Sequence, residues 1–325
     1  MHYYIHVTEA SRKPEIALPA ADSLIKLFSG VAHMVHMSSH EYERFGYYSK
    51  GVDANEKADK SLVLYDSLAK GLFPMVHVPH YYSVDAFCAF SGAMYKKAIQ
   101  KSMTCRNSIT PNKEDMYAQY LYMFSELAMV RLGKWQDILS DTTFINNEWT
   151  YAGILYDFAK GMAYTKTGNQ SKAEICLQQL REKKNDKALH EQFDPNSSRP
   201  SDCATVAENI LLANIRFQQK RYKEALAAFQ TAIASEDILT YSEPKDWVLP
   251  ARQYLGAFLM QLGQMKEAES VYREDLLWNP GNGWSLVGLH QALKAQGKTS
   301  ELQRIRKQYM NSFSDAEVIP TTSAY

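Results

Sequence analysis

Apolar residues recur along most of this chain at helical spacing, with little of the strict alternation of half-buried strands, so the pattern predicts paired amphipathic helices. Val206 to Ile233 divides into two of them. Leu211, Leu212, Ile215 and Phe217 mark the first, Lys220 and Arg221 break it, and Ala225, Leu226, Phe229 and Ile233 mark the second. The next pair carries Leu255, Phe258, Leu259 and Leu262, turns at Gly263, continues through Met265, Ala268, Val271, Tyr272 and Leu276, and stops at Asn279-Pro280. A further helix opens at Trp284, and Ser300 to Phe313 reads as a closing helix before a frayed tail.

A helical hairpin cannot bury its apolar face alone, so a stack of hairpins betrays itself by a fixed period. Gly263 and Gly297 are 34 residues apart, and Gly133 and Gly168 are 35 apart. Thirty-four is the tetratricopeptide length. Small residues fall where the two helices of such a repeat cross, at Gly256 with Ala268, Ala213 with Ala225, and Gly161 with Ala173, and Pro280 ends its unit. Earlier turns are expected at Gly46 and Gly92, whose wider spacing implies an insertion. The predicted fold is an all-α, tetratricopeptide-type right-handed α-solenoid of about six or seven helical hairpins. It spans 1–313, with His- and Tyr-rich irregular repeats over 1–110, intermediate repeats over 111–205, the clearest repeats over 206–313, and a flexible tail over 314–325. With Arg12 as the first turn, Met1 falls inside a helix, which predicts a shortened chain or a partner covering Tyr3, Tyr4 and Ile5.

Composition narrows the class of partner. The 36 basic residues balance the 36 acidic ones, which argues against nucleic acid or an anionic membrane held by bulk charge. The richest apolar stretch, Met116 to Val130, is broken by Gln119, Ser125 and Glu126, so no membrane span is expected. Cys88, Cys105, Cys176 and Cys203 lie far apart without a C-x-x-C pair, the usage of scattered thiols in a cytoplasmic protein.

Chemistry concentrates at one end. Seven of nine histidines lie within the first eighty residues: His2, His6, His33, His36, His40, His77 and His80. His2 and His6 share a helix face, as do His33, His36 and His40, and Glu9 follows His6 by three. Neutral imidazoles from adjacent helices, joined by one carboxylate, suit zinc or another borderline transition ion. The plainer reading packs these rings between helices against Tyr and Ser hydroxyls. A third reading makes them part of a metal-free polar ligand groove. His40-Glu41 is followed by Arg44 where the second ligand of H-E-x-x-H would stand, so no protease motif is present. Met34 and Met37 offer soft sulfur beside the cluster but sit at core spacing.

Elsewhere the motifs fail. Gly297-Lys298-Thr299 lacks the upstream glycine of a phosphate loop, which is Ala292, and Gly281-x-Gly283 lacks a third glycine. Trp247 and Arg252 adjoin a long loop of Pro, Asp and charged residues, the composition of a segment that reaches over a groove.

The run EPKDWVLPARQYLGAFLMQLGQMKEAESVYREDLLWNPGNGWSLVGLHQALKAQGK, Glu243 to Lys298, resembles a group of uncharacterised bacterial tetratricopeptide-repeat proteins, as do HYYIHVTEAS and HMVHMSSHEY near the N-terminus. The resemblance covers both ends and, more weakly, the middle. Longer members carry further repeats before the segment matching His2. The family segment matching His80 usually has another histidine three residues later, where this chain has Ser83. The resemblance implies the repeat fold and no particular reaction.

The sequence therefore points to a non-catalytic scaffold, without a cofactor, that binds a protein segment or small ligand on its concave face. The anchors expected are Tyr3, His6, His36, His40, Tyr42, His80, Tyr81, Trp247 and Arg252. The rival expectation is a metal-binding protein or metalloenzyme using His2, His6, Glu9, His33, His36, His40, His77 and His80.

Overall fold

The computed structural model describes residues 1–72, 78–193 and 197–325, and among these the regular elements are all helical. The first six α-helices are α1 (His2–Glu9), α2 (Leu18–Leu27), α3 (Ala32–Arg44), α4 (Tyr48–Ala69), α5 (Val78–Ser91) and α6 (Tyr95–Asn107). Next come α7 (Met116–Tyr122), α8 (Phe124–Arg131), α9 (Trp135–Ser140), α10 (Thr150–Lys166) and α11 (Gln170–Lys183). The series closes with α12 (Pro200–Gln218), α13 (Tyr222–Asp237), α14 (Ala251–Gln261), α15 (Met265–Trp278), α16 (Gly283–Ala295) and α17 (Leu302–Ser312). Consecutive helices pack as hairpins, α3 on α4, α10 on α11, α12 on α13 and α16 on α17, an arrangement consistent with a solenoid of paired helices. No helix among the described residues is long and apolar enough to cross a membrane.

The two glycines that set the period adopt the conformation that turns a chain from one helix into the next, with φ of +75° at Gly263 and +72° at Gly297. Lys220 and Ala93 make left-handed turns without glycine, at φ of 61° and 57°. A side chain there costs about 1–2 kcal/mol. This is why the break at Lys220-Arg221 reads as a turn with no glycine in it, and why the left-handed residue lies one position beyond Gly92.

The chain divides into two compact units, one of Met1–Thr104 with Met265–Ser323, the other of Cys105–Gln264 with Ala324–Tyr325. Within the first unit the two chain segments interlock. Trp284, 1% exposed, donates its Nε1–H to the Ser91 carbonyl at 2.8 Å. Arg44 donates to Glu9 O at 2.7 Å, to Ser11 O at 3.1 Å and to Trp278 O at 3.3 Å, which joins the end of α3 to the ends of α1 and α15. Gly46 and Gly281 meet backbone to backbone: a Cβ on Gly281 would lie 2.1 Å from Phe45 O. Gly288 admits the Tyr272 ring just as closely, which lets α16 pack against α15 of the preceding hairpin.

Within the second unit the core gathers Tyr120, Phe124, Tyr151, Phe158 and Trp247, all nearly or fully buried. Arg106 threads between helices, pairing with Glu126 at 2.5 Å and donating to Tyr122 O at 2.7 Å. The loop expected to reach over a groove instead drives Trp247 inward, edge-on to Phe158 at 5.3 Å, with its Nε1–H on Leu249 O. Burying a large indole whose one donor is satisfied within its own loop recovers apolar area at no polar cost. Arg252 forms a two-point pair with Asp237 at 2.5 and 2.8 Å. The segment expected to fray is also packed: Ser323 is fully buried on the Tyr272 hydroxyl at 2.7 Å.

The joint at Gly281 gives a direct test. Gly281→Ala combines a left-handed backbone with a backbone clash and is expected to cost about 2–4 kcal/mol in urea unfolding. Gly263→Ala, equally left-handed but with nothing within 4 Å of its new Cβ, is expected to cost only about 1–2 kcal/mol. Equal losses for the two variants would remove the interlock from the account.

A candidate metal centre of clustered histidines

Helix α3 carries the cluster because its two faces differ. Met37 and Tyr42, with Met34 beside them, turn toward Ile5, Ala17, Ala21, Leu24 and Ala54 in the apolar core. His33, His36 and His40, spaced by three and four residues, form a separate stripe. Met34 and Met37 are thus core residues and contribute no sulfur to the cluster. Tyr42 is held there as well, its hydroxyl on Asp22 at 2.5 Å.

His36, His40 and His80 come together from α3 and α5, each offering a ligand atom within 4.8 Å of the others. The first two are fully buried. Their Nε2 atoms are 3.1 Å apart, and the His80 ring lies 4.8 Å from that of His36 and 5.4 Å from that of His40. The Tyr81 ring stacks on His36 at 3.9 Å.

The hydrogen-bond network assigns the protons. Asn55 donates its Nδ2–H to Gly51 O at 3.0 Å, so its Oδ1 is the atom left to accept from His36 Nδ1–H at 2.7 Å. Neutral His36 then presents a bare Nε2 lone pair. His40 Nε2 stands opposite it at 3.1 Å, within hydrogen-bond distance, and donates to that lone pair when it carries the ring proton. The Glu9 carboxylate, 1% exposed, lies 3.8 Å from His40 Nδ1, beyond hydrogen-bond distance. Burial first, and the neighbouring imidazoles after it, hold the pKa of both His36 and His40 well below the usual histidine range, so neither carries a charge at neutral pH.

A second triad, His2, His6 and His33, also places one ligand atom from each residue within 4.8 Å of the others. It is the outer one, with the His6 side chain 40% exposed. Burial and the charge of His6 lower the pKa of His2. Beside the clusters Thr8 donates to Glu41 Oε1 at 2.8 Å, and burial nonetheless pushes the Glu41 carboxyl up to about 7.

The structure thus brings together His2, His6, Glu9, His33, His36, His40, His80 and Tyr81. His77 lies outside the described residues. Trp247 and Arg252 belong to the other unit, and of the remaining expected anchors only Tyr3, at 80%, and His6 are exposed. Asn55, which sequence reasoning missed, was signalled only by its place on a small, apolar stripe of α4, with Gly51, Val52 and Ala58. A polar residue on such a stripe has to find a buried partner.

No protein-family model matches this chain, and no curated protein matches it. Among solved structures it is similar to the TPR domain of P58(IPK), with a TM-score of 0.29 and 14% identity, over 94% of this chain and 83% of that one.

Removing the Asn55 amide leaves a buried imidazole N–H without its acceptor. In metal-free buffer Asn55→Ala should therefore lose about 1–3 kcal/mol of stability by urea denaturation. The exposed substitution Ser67→Ala should stay within about 0.5 kcal/mol of the parent. A neutral Asn55→Ala result would break the proton assignment at His36.

Proposed function

We propose that this protein is a metal-binding helical-repeat protein of the tetratricopeptide type, and that His36, His40 and His80 hold zinc or another borderline transition ion. The observation that carries the reading is the pair of Nε2 atoms 3.1 Å apart, with Asn55 on the far nitrogen of one ring and Glu9 near that of the other. A tetrahedral ion with bonds of about 2.0–2.1 Å separates its nitrogens by about 3.3 Å, close to this spacing. An acceptor behind each imidazole is the usual means of fixing a ligand's tautomer and raising its basicity. An all-nitrogen set suits zinc, copper or nickel and disfavours magnesium and calcium, which take oxygen.

Three protein nitrogens leave one tetrahedral position for water or a bound group. That is the ligand count of open zinc sites, as opposed to the four of closed structural ones. The lowered histidine pKa values support the same reading, since a ligating imidazole must be neutral and here no proton has to be displaced at neutral pH.

The paired-helix architecture is also compatible with binding a protein segment. The specific support is the outward face of α1, where Tyr3, Tyr4 and Val7 are exposed beside His6. His36, His40, Tyr42 and Tyr81 are buried and so act in such binding only by shaping that surface from beneath.

Elemental analysis of the protein, purified without a histidine tag, tests the metal reading. The parent should retain transition metal, and His36→Ala/His40→Ala should lose the buried ion. Chelation should lower the parent's melting temperature, because an ion at one hundred times its Kd contributes about 2.7 kcal/mol to stability. Metal-free parent protein whose melting temperature ignores both chelator and added zinc would refute the proposal.

A further inference from the structure

We infer that the protein carries two metal ions side by side, the second held by His2, His6 and His33. The inference rests on the reading of His36, His40 and His80 as a metal site, and extends it to a two-ion centre of six imidazoles.

The outer triad repeats the geometry of the inner one. His2 Nε2 and His33 Nε2 face each other at 2.9 Å, as the corresponding atoms of His36 and His40 do at 3.1 Å. The rings are again set by groups on the far nitrogen. His33 Nδ1 lies 3.3 Å from the Tyr81 hydroxyl, and His6 Nδ1 lies 2.9 Å from Glu9 Oε1, which leaves His6 Nε2 as the ligating atom. In each triad, then, at least one ring is held from behind through Nδ1, His36 in the inner one and His33 and His6 in the outer, which leaves Nε2 of those rings to ligate.

Two residues couple the triads. Glu9 puts one carboxylate oxygen on His6 and the other 3.8 Å from His40, so a single buried acid stands beside one ligand of each ion. Tyr81 stacks its ring on His36 while its hydroxyl faces His33. His33 and His36 stand one helical turn apart on α3, so the same helix supplies ligands to both triads. With no carboxylate in either ligand set, the ions expected are zinc or copper, bound through nitrogen alone.

The triads differ in access, and this separates the two ions experimentally. The outer one includes the exposed His6, whereas two ligands of the inner one are fully buried, so the outer ion should leave first under a mild chelator.

The test is zinc titration of the chelator-stripped full-length protein, read by native mass spectrometry. Three chains are compared: the parent, His2→Ala/His33→Ala and His36→Gln/His40→Gln, with circular dichroism to confirm that each is folded. The expected result is two zinc ions on the parent and one on His2→Ala/His33→Ala, the retained ion being the slowly released one. Should the inner double variant unfold, the first two chains decide alone. One ion on both would overturn the second site and leave the first standing. One ion on the parent and none on His2→Ala/His33→Ala would overturn the inner site and with it the two-ion centre, and none on either would overturn both assignments. Glu9→Gln should weaken both sites, about 10–100-fold each. Weakening of only one site would overturn the shared role of Glu9.

Discussion

Asn55 turns Oδ1, its one acceptor, toward His36, because its amide nitrogen donates to Gly51 O, and that constraint reaches outward into the cluster. It puts the proton of His36 on Nδ1, which bares Nε2, and His40 Nε2 stands directly opposite. Here both rings are buried, charge is opposed by desolvation and by the neighbouring imidazoles, and Tyr81 stacks over one of them.

The scaffold matters because the six imidazoles come from three helices. Helix α1 brings Glu9 and two histidines, α3 brings three, and α5 brings one, while α4 supplies the orienting amide. Arg44 ties the carbonyl of Glu9 itself to the end of α3, so the acid that serves both triads is fixed at its backbone as well as by its side chain. Interlocking of this kind gives the cluster definition that a single exposed helix cannot provide.

Much of this was legible in the sequence, for identifiable reasons. Turn glycines need a left-handed backbone wherever a hairpin reverses, so Gly263 and Gly297 reported the period. Histidines three and four apart must share a helix face, so the stripe on α3 could be read before any coordinates. Asn55 was harder to read, because its place on the small, apolar stripe of α4 marks a buried amide but not its partner until α3 is laid against α4. Trp247 misled for a related reason: a loop rich in Pro and charge looks solvent-facing, yet its indole found its hydrogen-bond partner two residues away. The joining of 1–104 to 265–323 has no periodic signature at all, since it depends on which ends meet and not on what each repeat contains.

That joining also sets an order of events during synthesis. The second unit is almost entirely one continuous stretch, Cys105–Gln264, and its contacts are available as soon as that stretch leaves the ribosome. The first unit must wait. Arg44 has no Trp278 carbonyl to grip, and Ser91 no Trp284, until well over a hundred further residues have emerged. Contacts so distant in sequence close slowly. The histidine-bearing helices therefore spend the whole translation of the intervening unit without these two anchors.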